Sequence, residues 1–341
     1  MSRTVPVAVV VTVDTEEDNW FPARDGIRNS NIAGLARLRA VLDRFALRAT
    51  FLTTWHVARD RAAMGILLGL RDGHGAEIGA HLHPWNTPPI VEEFGPRTFG
   101  WKHLASDLQA RKLETLTSAI AEVTGAPPTS FRAGRWSLGP AGATALLRQG
   151  YRTDSSVLPY SYWYDVEDSP NYYRAPEFPW RVDGARPVES PAEDGLVEIP
   201  PTVGFSRWPW RPWATVDRAL QVGPARLFRV AGILARARMI EKLALSPEIN
   251  SAEHMLALAR VAIANGVRVL NVFLHSGAFT SGCTPYVNSS AQLDYFVGEL
   301  DRFFEGLARL TPCESLTLGE AGERLREGRS PFSPTEGALA P

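Results

Sequence analysis

Acidic, basic and imidazole side chains follow several apolar runs of the sequence that are predicted to be strands. In chain order these residues are Asp14, Glu16, Glu17, Asp18, His81, His83, Arg132, Arg135, Asp154 and His275. Each one alone is compatible with a solvated loop, a helix N-terminal charge or a structural hydrogen bond. In a parallel barrel, however, the carboxyl ends of the strands converge on one mouth. We therefore expect these side chains to gather in one site.

The chemistry that this set favours is metal-assisted hydrolysis. His81 and His83 are two residues apart, so both side chains point to the same side of an extended strand end. Imidazole and carboxylate groups together suit zinc and similar divalent ions. Three protein ligands leave one position for water, whose pKa the metal lowers. Asp14 is suited to take a proton from that water, and His275 to protonate a leaving amine.

The elements that must position these residues alternate between strand and helix. Apolar runs predict strands at 7–13, 49–52, 76–82, from 130 onward, and at 151–157, 196–199, 267–274 and 315–318. Helical spacing of apolar residues predicts helices at 32–45, 57–70, 104–123, 140–147, 224–245, 253–264, 290–310 and 320–326. This alternation predicts a parallel barrel or a doubly wound sheet. No glycine-rich phosphate loop follows a strand, which disfavours a nucleotide site.

Residues 158–215 interrupt the alternation and are rich in proline and aromatic residues. We interpret this segment as an insertion that forms a lid or cleft wall on one barrel domain spanning residues 1–327. Residues 328–341 are expected to be a disordered tail. Flat aromatic rings can stack on sugars, but they also fill protein cores. Composition alone leaves both interpretations of the aromatic segment open.

The overall composition excludes several classes of protein. The 341 residues are 45% hydrophobic and 21% charged, which argues against disorder, and the net charge of −1 offers no attraction to nucleic acid. Two cysteines rule out a disulfide scaffold. The first apolar run is too short to span a bilayer and is followed by acidic residues instead of a cleavage site. We expect a cytoplasmic protein without a membrane span, and the sequence does not predict its oligomeric state.

In motif order over residues 5–325, the chain resembles the polysaccharide deacetylase family, the NodB-homology domain of carbohydrate esterase family four. It is most similar to the branch whose first motif reads Asp-x-Glu. The resemblance implies a distorted (β/α) barrel of about seven parallel strands. It also implies removal of acetyl groups from amino sugars or polysaccharides with zinc or a similar divalent metal.

The first two motifs of the family imply a base and a set of metal ligands. Thr12-Val13-Asp14-Thr15-Glu16 stands in place of Thr-Phe-Asp-Asp-Gly, so Asp14 matches the catalytic base and Glu16 supplies the ligand oxygen missing at Thr15. The second motif, His-x-x-x-His-Pro, matches at His81, whereas the His-Pro pair here is His83-Pro84. This contraction leaves two alternatives: the loop is rebuilt so that His83 binds the metal, or the site has lost a ligand.

The later motifs imply further site residues. Arg132 matches the residue that orients the base, Asp154 falls near an aspartate that tunes the catalytic histidine, and His275 matches the general acid. The resemblance also favours sugar contact for aromatic residues of the chain. The residues that we assign to substrate binding are Trp85, Trp136, Trp163 and Trp180.

The leading hypothesis is a metal-dependent deacetylase that acts on an N-acetylated sugar or a glycan precursor. One alternative is a sugar-binding barrel that has lost its metal and its activity. Another is an amidohydrolase that cleaves a C–N bond in a small non-sugar amide. A His-x-His pair also marks the amidohydrolase barrels, but they carry it on the first strand, whereas here it ends the third.

Overall fold

The structure is a computed structural model that describes residues 6–18, 26–93, 95, 98–162, 171–182, 195–222 and 241–328. The strands in these residues are β1 Val7–Thr15, β2 Ala49–Thr53, β3 Glu77–Leu82, β4 Ser130–Ala133, β5 Thr153–Asp154, β6 Trp180–Val182, β7 Leu196–Glu198, β8 Val203–Phe205, β9 Lys242–Ala244, β10 Val269–His275 and β11 Cys313–Leu316. The α-helices are α1 Leu35–Arg44, α2 Trp55–Ala58, α3 Arg61–His74, α4 Ser106–Thr124, α5 Pro140–Arg148, α6 Trp210–Val222, α7 Ala252–Ala264, α8 Ser290–Leu310 and α9 Leu318–Arg326.

The main sheet has the strand order β10-β1-β2-β3-β4-β5-β7-β6, with β11 also paired to β1. Its pairs are parallel except for β6 with β7. At the far side of β10, the amide of Phe273 donates to the carbonyl of Leu245, and the amide of Thr202 donates to that of Asn271. These bonds link β10 to the small β8–β9 sheet. The sheet therefore curls into the distorted, mostly parallel barrel that the motifs predicted.

Strand β1 lies inside this sheet and is buried along its whole length. Successive side chains of a strand point to opposite faces. On one face, Val7, Val9, Val11 and Val13 belong to the large hydrophobic core, which includes helix residues. On the other face, Ala8 and Val10 belong to a smaller apolar cluster, and the polar residues Thr12 and Asp14 follow toward the carboxyl end. The change from apolar to polar along this second face marks where the site begins.

Helix α4 packs one face against the barrel. Leu108 and Leu116 are buried, and Lys112, halfway between them, is buried as well. Residues four apart lie on the same side of a helix, so the lysine shares the apolar face instead of facing solvent. The helix ends at Gly125, whose φ of +84° is a conformation that glycine adopts without strain.

The structure differs from the sequence expectations mainly between residues 151 and 245. Besides the predicted strand β7, which belongs to the main sheet, the segment 158–215 contains β6, β8 and the start of α6. The helix predicted at 224–245 is wrong at its end, where Lys242–Ala244 forms β9; its part within 223–240 lies outside the described residues. Strands of two or three residues are too short to show a period in the sequence. The tail predicted beyond Gly328 also lies outside the described residues.

None of the helices in the described part of the chain combines the length and the apolar character that crossing a membrane requires.

Candidate metal centre

Parallel strand register brings the predicted site residues to one end of the barrel. In the β1–β10 pair, Asp14 stands opposite His275, and in the β3–β4 pair, His81 stands opposite Arg132. All four residues occupy the carboxyl-terminal half of their strands. Glu16 follows β1 directly. The convergence therefore results from the order and register of the central strands.

Glu16, His81 and His83 form a compact group that is suited to hold a metal ion. Their ligand atoms all lie within 4.8 Å of one another, and the three residues are buried. Oε1 of Glu16 is 2.7 Å from Nε2 of each histidine, while its buried Oε2 has no hydrogen-bond partner among the residues that the structure describes. A carboxylate and two imidazoles form an ordinary ligand set for zinc and related ions. The donor set and the unpaired oxygen both fit a bound divalent cation.

A backbone carbonyl fixes the orientation of His81. Its Nδ1 lies 2.9 Å from the carbonyl oxygen of Arg132 and donates a hydrogen bond there, which directs Nε2 toward Glu16. Metal-binding histidines commonly use their second nitrogen in this way. Burial lowers the pKa of His81, but Asp14 and Glu16 outweigh that effect and raise it.

Packing and a hydrogen bond between Nε2 and Glu16 fix the ring of His83. Among the described residues, its buried Nδ1 has no hydrogen-bond partner. A Cβ placed on Gly134 would stand 2.2 Å from that nitrogen, and on another side the ring of Trp85 lies 4.2 Å away between centroids. Burial lowers the pKa of His83. Burial also favours the neutral form of Glu16, but His83 and His81 outweigh it and hold the pKa of this carboxyl well below its usual value.

Asp14 faces the same space with one free carboxylate oxygen. Its Oδ1 accepts a 2.6 Å hydrogen bond from Arg132, whereas Oδ2 lies 3.9 Å from Nε2 of both His81 and His275. Burial raises the pKa of Asp14, but Arg132 and the nearby histidines outweigh it, so the pKa is lowered. Asp14 is therefore a carboxylate at neutral pH, with Oδ2 available to accept a proton.

Arg132 is itself held in place from several directions. It is 1% exposed, its Nε donates to the carbonyl of Ser155, and Nη2 donates to the hydroxyls of Thr12 and Ser155. Its guanidinium also lies 5.0 Å from the ring centroid of Trp136. A buried charge needs such partners to offset its desolvation. The network fixes Arg132 and, through it, the orientation of Asp14.

His275 stands on the opposite side of Asp14 and is paired with Glu248. Oε2 of Glu248 is 2.9 Å from Nδ1, and Oε1 accepts the backbone N–H of His275 at 2.7 Å. Burial lowers the pKa of His275, but Glu248 outweighs that effect and the pKa rises to about 10. The ring of Tyr286 stacks beside the imidazole at a centroid distance of 6.4 Å. His275 is therefore an imidazolium at neutral pH, with Nε2 toward Asp14.

The partner of His275 differs from the residue that the motifs implied. Asp154 accepts hydrogen bonds from the backbone and hydroxyl of Ser156 and pairs with Glu198, and both carboxyls are fully buried. Glu248 holds the imidazole instead, and the sequence analysis did not find it. Glu248 follows the apolar run 243–245, as the other site residues follow apolar strands. The helical spacing of apolar residues over 224–245 predicts a helix there instead, so the position of Glu248 after a strand is not recognisable from the sequence.

The four tryptophans assigned to substrate contact have different environments. Trp85 and Trp136 are partly exposed and lie beside His83 and Arg132, respectively. Trp180 is only 5% exposed and belongs to the hydrophobic core, so it presents no face to a substrate. Trp163 lies outside the described residues. Tyr286, which is 41% exposed next to His275, is an aromatic residue at the site that the sequence analysis did not assign.

The remaining acidic residues after β1 have structural partners. The carboxylate of Glu17 accepts hydrogen bonds from Thr54 and Asn86. The carboxylate of Asp18 accepts from Ser30 and from the backbone and side-chain amides of Asn31. These contacts fix the chain where it leaves the strand. Of the acidic run, Asp14 and Glu16 are thus the two residues that face the imidazoles.

Comparisons with known proteins give matches at the level of structure. No family model matches the sequence, and no curated protein matches it. A protein from Mycobacterium smegmatis, provisionally assigned as a polysaccharide deacetylase, matches with a TM-score of 0.52 at 17% identity, over 99% of this chain and 100% of that one. One from Pseudomonas aeruginosa PAO1, also provisionally assigned, matches with a TM-score of 0.52 at 14% identity, over 95% and 91%.

The allantoinase PuuE matches with a TM-score of 0.53 at 12% identity, over 96% of this chain and 91% of that one. Identities this low show the fold and leave the substrate undetermined. The chain therefore has the NodB-like fold of the polysaccharide deacetylases, in a form that is divergent in sequence.

Proposed function

We propose that this protein is a metal-dependent hydrolase that removes the acetyl group from an N-acetylated sugar or glycan precursor. The observation that carries the proposal is the buried Glu16, His81 and His83 group beside an ionised aspartate, with a protonated histidine on the other side of that aspartate. Carboxylates and imidazoles in these opposite protonation states are what acid–base hydrolysis requires.

In this mechanism Glu16, His81 and His83 would hold a divalent ion, zinc being the best match to the ligand types. Such an ion, when bound, lowers the pKa of water and polarises a carbonyl oxygen. Asp14 accepts a proton from the attacking water at Oδ2, because Arg132 occupies its other oxygen. The protein thus supplies the base in a fixed orientation before the substrate arrives.

His275 supplies the proton for the departing nitrogen. Its Nε2 is the end of the imidazolium directed toward Asp14, since Nδ1 is bonded to Glu248. A C–N bond breaks easily only if the amine leaves protonated, so an acid on the side opposite the water is needed. The distance of 3.9 Å between His275 Nε2 and Asp14 Oδ2 leaves the two groups close, yet beyond direct hydrogen-bond distance.

The N-acetylated sugar is the substrate that the aromatic surroundings favour. Trp85, Trp136 and Tyr286 are partly or well exposed beside the ligands and the acid. Aromatic rings offer an apolar face next to polar groups, which suits a sugar ring. The second candidate is a small cyclic amide, because the fold matches that of an allantoinase as well as it matches the deacetylases.

Metal analysis and a substrate panel test the proposal. We expect purified protein to contain near-stoichiometric metal by emission spectroscopy, and Glu16→Ala and His83→Ala to lose it. Asp18→Asn is the matched control, since its carboxylate bonds to Ser30 and Asn31 and not to the histidines. Unchanged metal in both ligand variants would mean that this group is not the ligand set. A metal-free wild-type protein that still binds sugar would favour the alternative of an inactive sugar-binding barrel.

The panel compares acetate release from N-acetylglucosamine oligomers with ring opening of allantoin. Release of acetate from the oligomers, dependent on His275, supports the deacetylase. Turnover of allantoin alone would overturn the sugar assignment and keep the metal-dependent C–N hydrolase.

A further inference from the structure

The loop that carries His83 receives no orientation from the sheet. Strand β3 ends at Leu82, so His83 is the first residue beyond the ladder of backbone hydrogen bonds. Within the described part of the chain, its side chain forms a hydrogen bond to Glu16, and its buried Nδ1 has no partner. Whatever fixes the backbone after His83 therefore fixes the position of the third candidate ligand.

Lys112 is the side chain that contacts this backbone. It comes from α4 and is 0% exposed. Its ammonium nitrogen lies close to three carbonyl oxygens, those of Pro84 at 2.9 Å, Thr87 at 2.8 Å and Pro89 at 2.8 Å. The carboxylate of Glu92 lies 2.8 Å away and offsets the charge. The three protons of the ammonium group are shared among the three carbonyls and this carboxylate.

The contacts of Lys112 restrict the path of the loop, because the burial of an ammonium group without hydrogen-bond partners is energetically unfavourable. Desolvation of a charged group is strongly unfavourable, whereas burial of an apolar side chain of the same size is favourable. A loop without strand or helix, in turn, leaves carbonyl groups that need donors. Each side thus needs the other, and the loop can follow only a path that brings its three carbonyls to Lys112.

The start of the same loop is also hydrogen bonded to His83 and to Glu17, next to the candidate metal ligands. The carbonyl of His83 accepts from the amides of Asn86, at 3.4 Å, and Thr87, at 3.2 Å. The side-chain amide of Asn86 donates to Glu17, the neighbour of Glu16, at 2.6 Å. The turn after His83 is therefore held between Lys112 on one side and the end of β1 on the other.

We propose that Lys112 is a positioning residue for the metal centre: by binding the carbonyls of the 84–89 loop, it holds His83 in position to bind a metal together with Glu16. This inference rests on the proposed metal site. It explains how His81 and His83, with one residue between them, can bind the same metal ion although His83 lies outside the strand.

The test measures zinc affinity by titration calorimetry in Lys112→Met, Lys112→Gln and wild-type protein. Lys112→Met keeps an unbranched side chain only one atom shorter and removes all three donors. We expect zinc to bind at least about tenfold more weakly, the scale of lost support around metal ligands. Lys112→Gln retains two donors and should rescue part of the affinity. Leu307→Ala is the control, because Leu307 is buried in α8 and its loss destabilises the fold without touching the loop.

The possible results separate the two proposals. Zinc affinity of Lys112→Met within about twofold of wild type, in folded protein, overturns the positioning role and leaves the metal site intact. The role is also overturned if neither Lys112 variant folds while Leu307→Ala does, since Lys112 then supports the whole fold. Wild-type protein that does not bind zinc overturns the metal site, and this inference with it. Weakened zinc binding in folded Lys112→Met, with Leu307→Ala unchanged, supports the inference.

Discussion

Replacement of Glu248 by Gln tests the electrostatics of the proposed acid. Both oxygens of Glu248 contact His275, one at the imidazole and one at the backbone, and the carboxylate side chain is 2% exposed. Gln can still accept the backbone N–H through its carbonyl oxygen. Its other end, however, becomes a donor without charge, which disfavours the protonated imidazole of His275.

The size of the effect follows from the distance. An opposite charge in contact with a titrating group changes its pKa by about 1 to 3 units, and one unit corresponds to about 1.4 kcal/mol. The pKa of His275 is about 10 with Glu248 present. We therefore expect Glu248→Gln to lower it to about 7–9. If His275 is the acid, the high-pH limb of kcat/KM moves to lower pH by the same amount.

The assay is a titration of the imidazole by NMR in metal-free protein, from about pH 5 to 11, with His275→Gln used to assign the signal. A pH–rate profile of the metal-loaded protein follows. Glu241→Gln is the control, because Glu241 lies 3.6 Å from the partly exposed His254 and does not contact His275. If His275 titrates at the same pH in Glu248→Gln as in wild type, the reasoning about its pKa is refuted.

Three further predictions concern His275, the buried carboxyl pair and the glycine beside His83. His275→Ala should abolish turnover and leave the metal bound, as measured by activity and emission spectroscopy; activity near wild type would contradict the acid role. Burial and the neighbouring Asp154 raise the pKa of Glu198 well above its usual value. Above the pKa of the unfolded chain, the folded state therefore keeps a proton that the unfolded chain loses. The free energy of unfolding thus falls as pH rises toward the folded pKa. Glu198→Gln should therefore gain stability over wild type by up to about 1.4 kcal/mol per pH unit between the unfolded and folded pKa, measured by urea unfolding, and a pH-independent difference would contradict this. Gly134→Ala should displace the ring of His83, since its Cβ would lie 2.2 Å from Nδ1, and weaken zinc binding by about tenfold in calorimetry; unchanged affinity would show that the ring adapts.

The sequence predicts the centre of this fold well. Strand β1 begins with five apolar residues in a row, and β3 and β10 consist mostly of apolar or small residues, a pattern distinct enough to recognise without an alignment. Once they are recognised as parallel strands, their ends must meet. The proximity of Asp14 and His275, which are 261 positions apart, follows from the β1–β10 pairing.

The periphery was not predictable on the same grounds. Strands β6, β8 and β9 have three residues each, and their pairing is decided by contacts distant in sequence. Glu248 follows one of these strands, which is why the partner of His275 was missed. The content of aromatic residues does not show whether they line a substrate cleft or fill the hydrophobic core, and Trp180 lies in the core.

Lys112 illustrates a signal that was present but ambiguous. It lies four residues from both Leu108 and Leu116 on the apolar face of α4. A lysine in that position usually extends its charged end to the solvent along the apolar face. Only the loop that covers it, with carbonyls directed inward, shows that the charge remains buried.

The position of β1 has a consequence for how the site behaves before a substrate binds. This strand is hydrogen bonded to β10 along one edge and to β11 and then β2 along the other. Amide groups enclosed in this way exchange with solvent only when the whole domain opens. Asp14 thus extends from a strand that is paired on both edges, and Glu16 from the residue that directly follows this strand. A ligand would meet carboxylates already in place, and would spend little of its binding energy on ordering them.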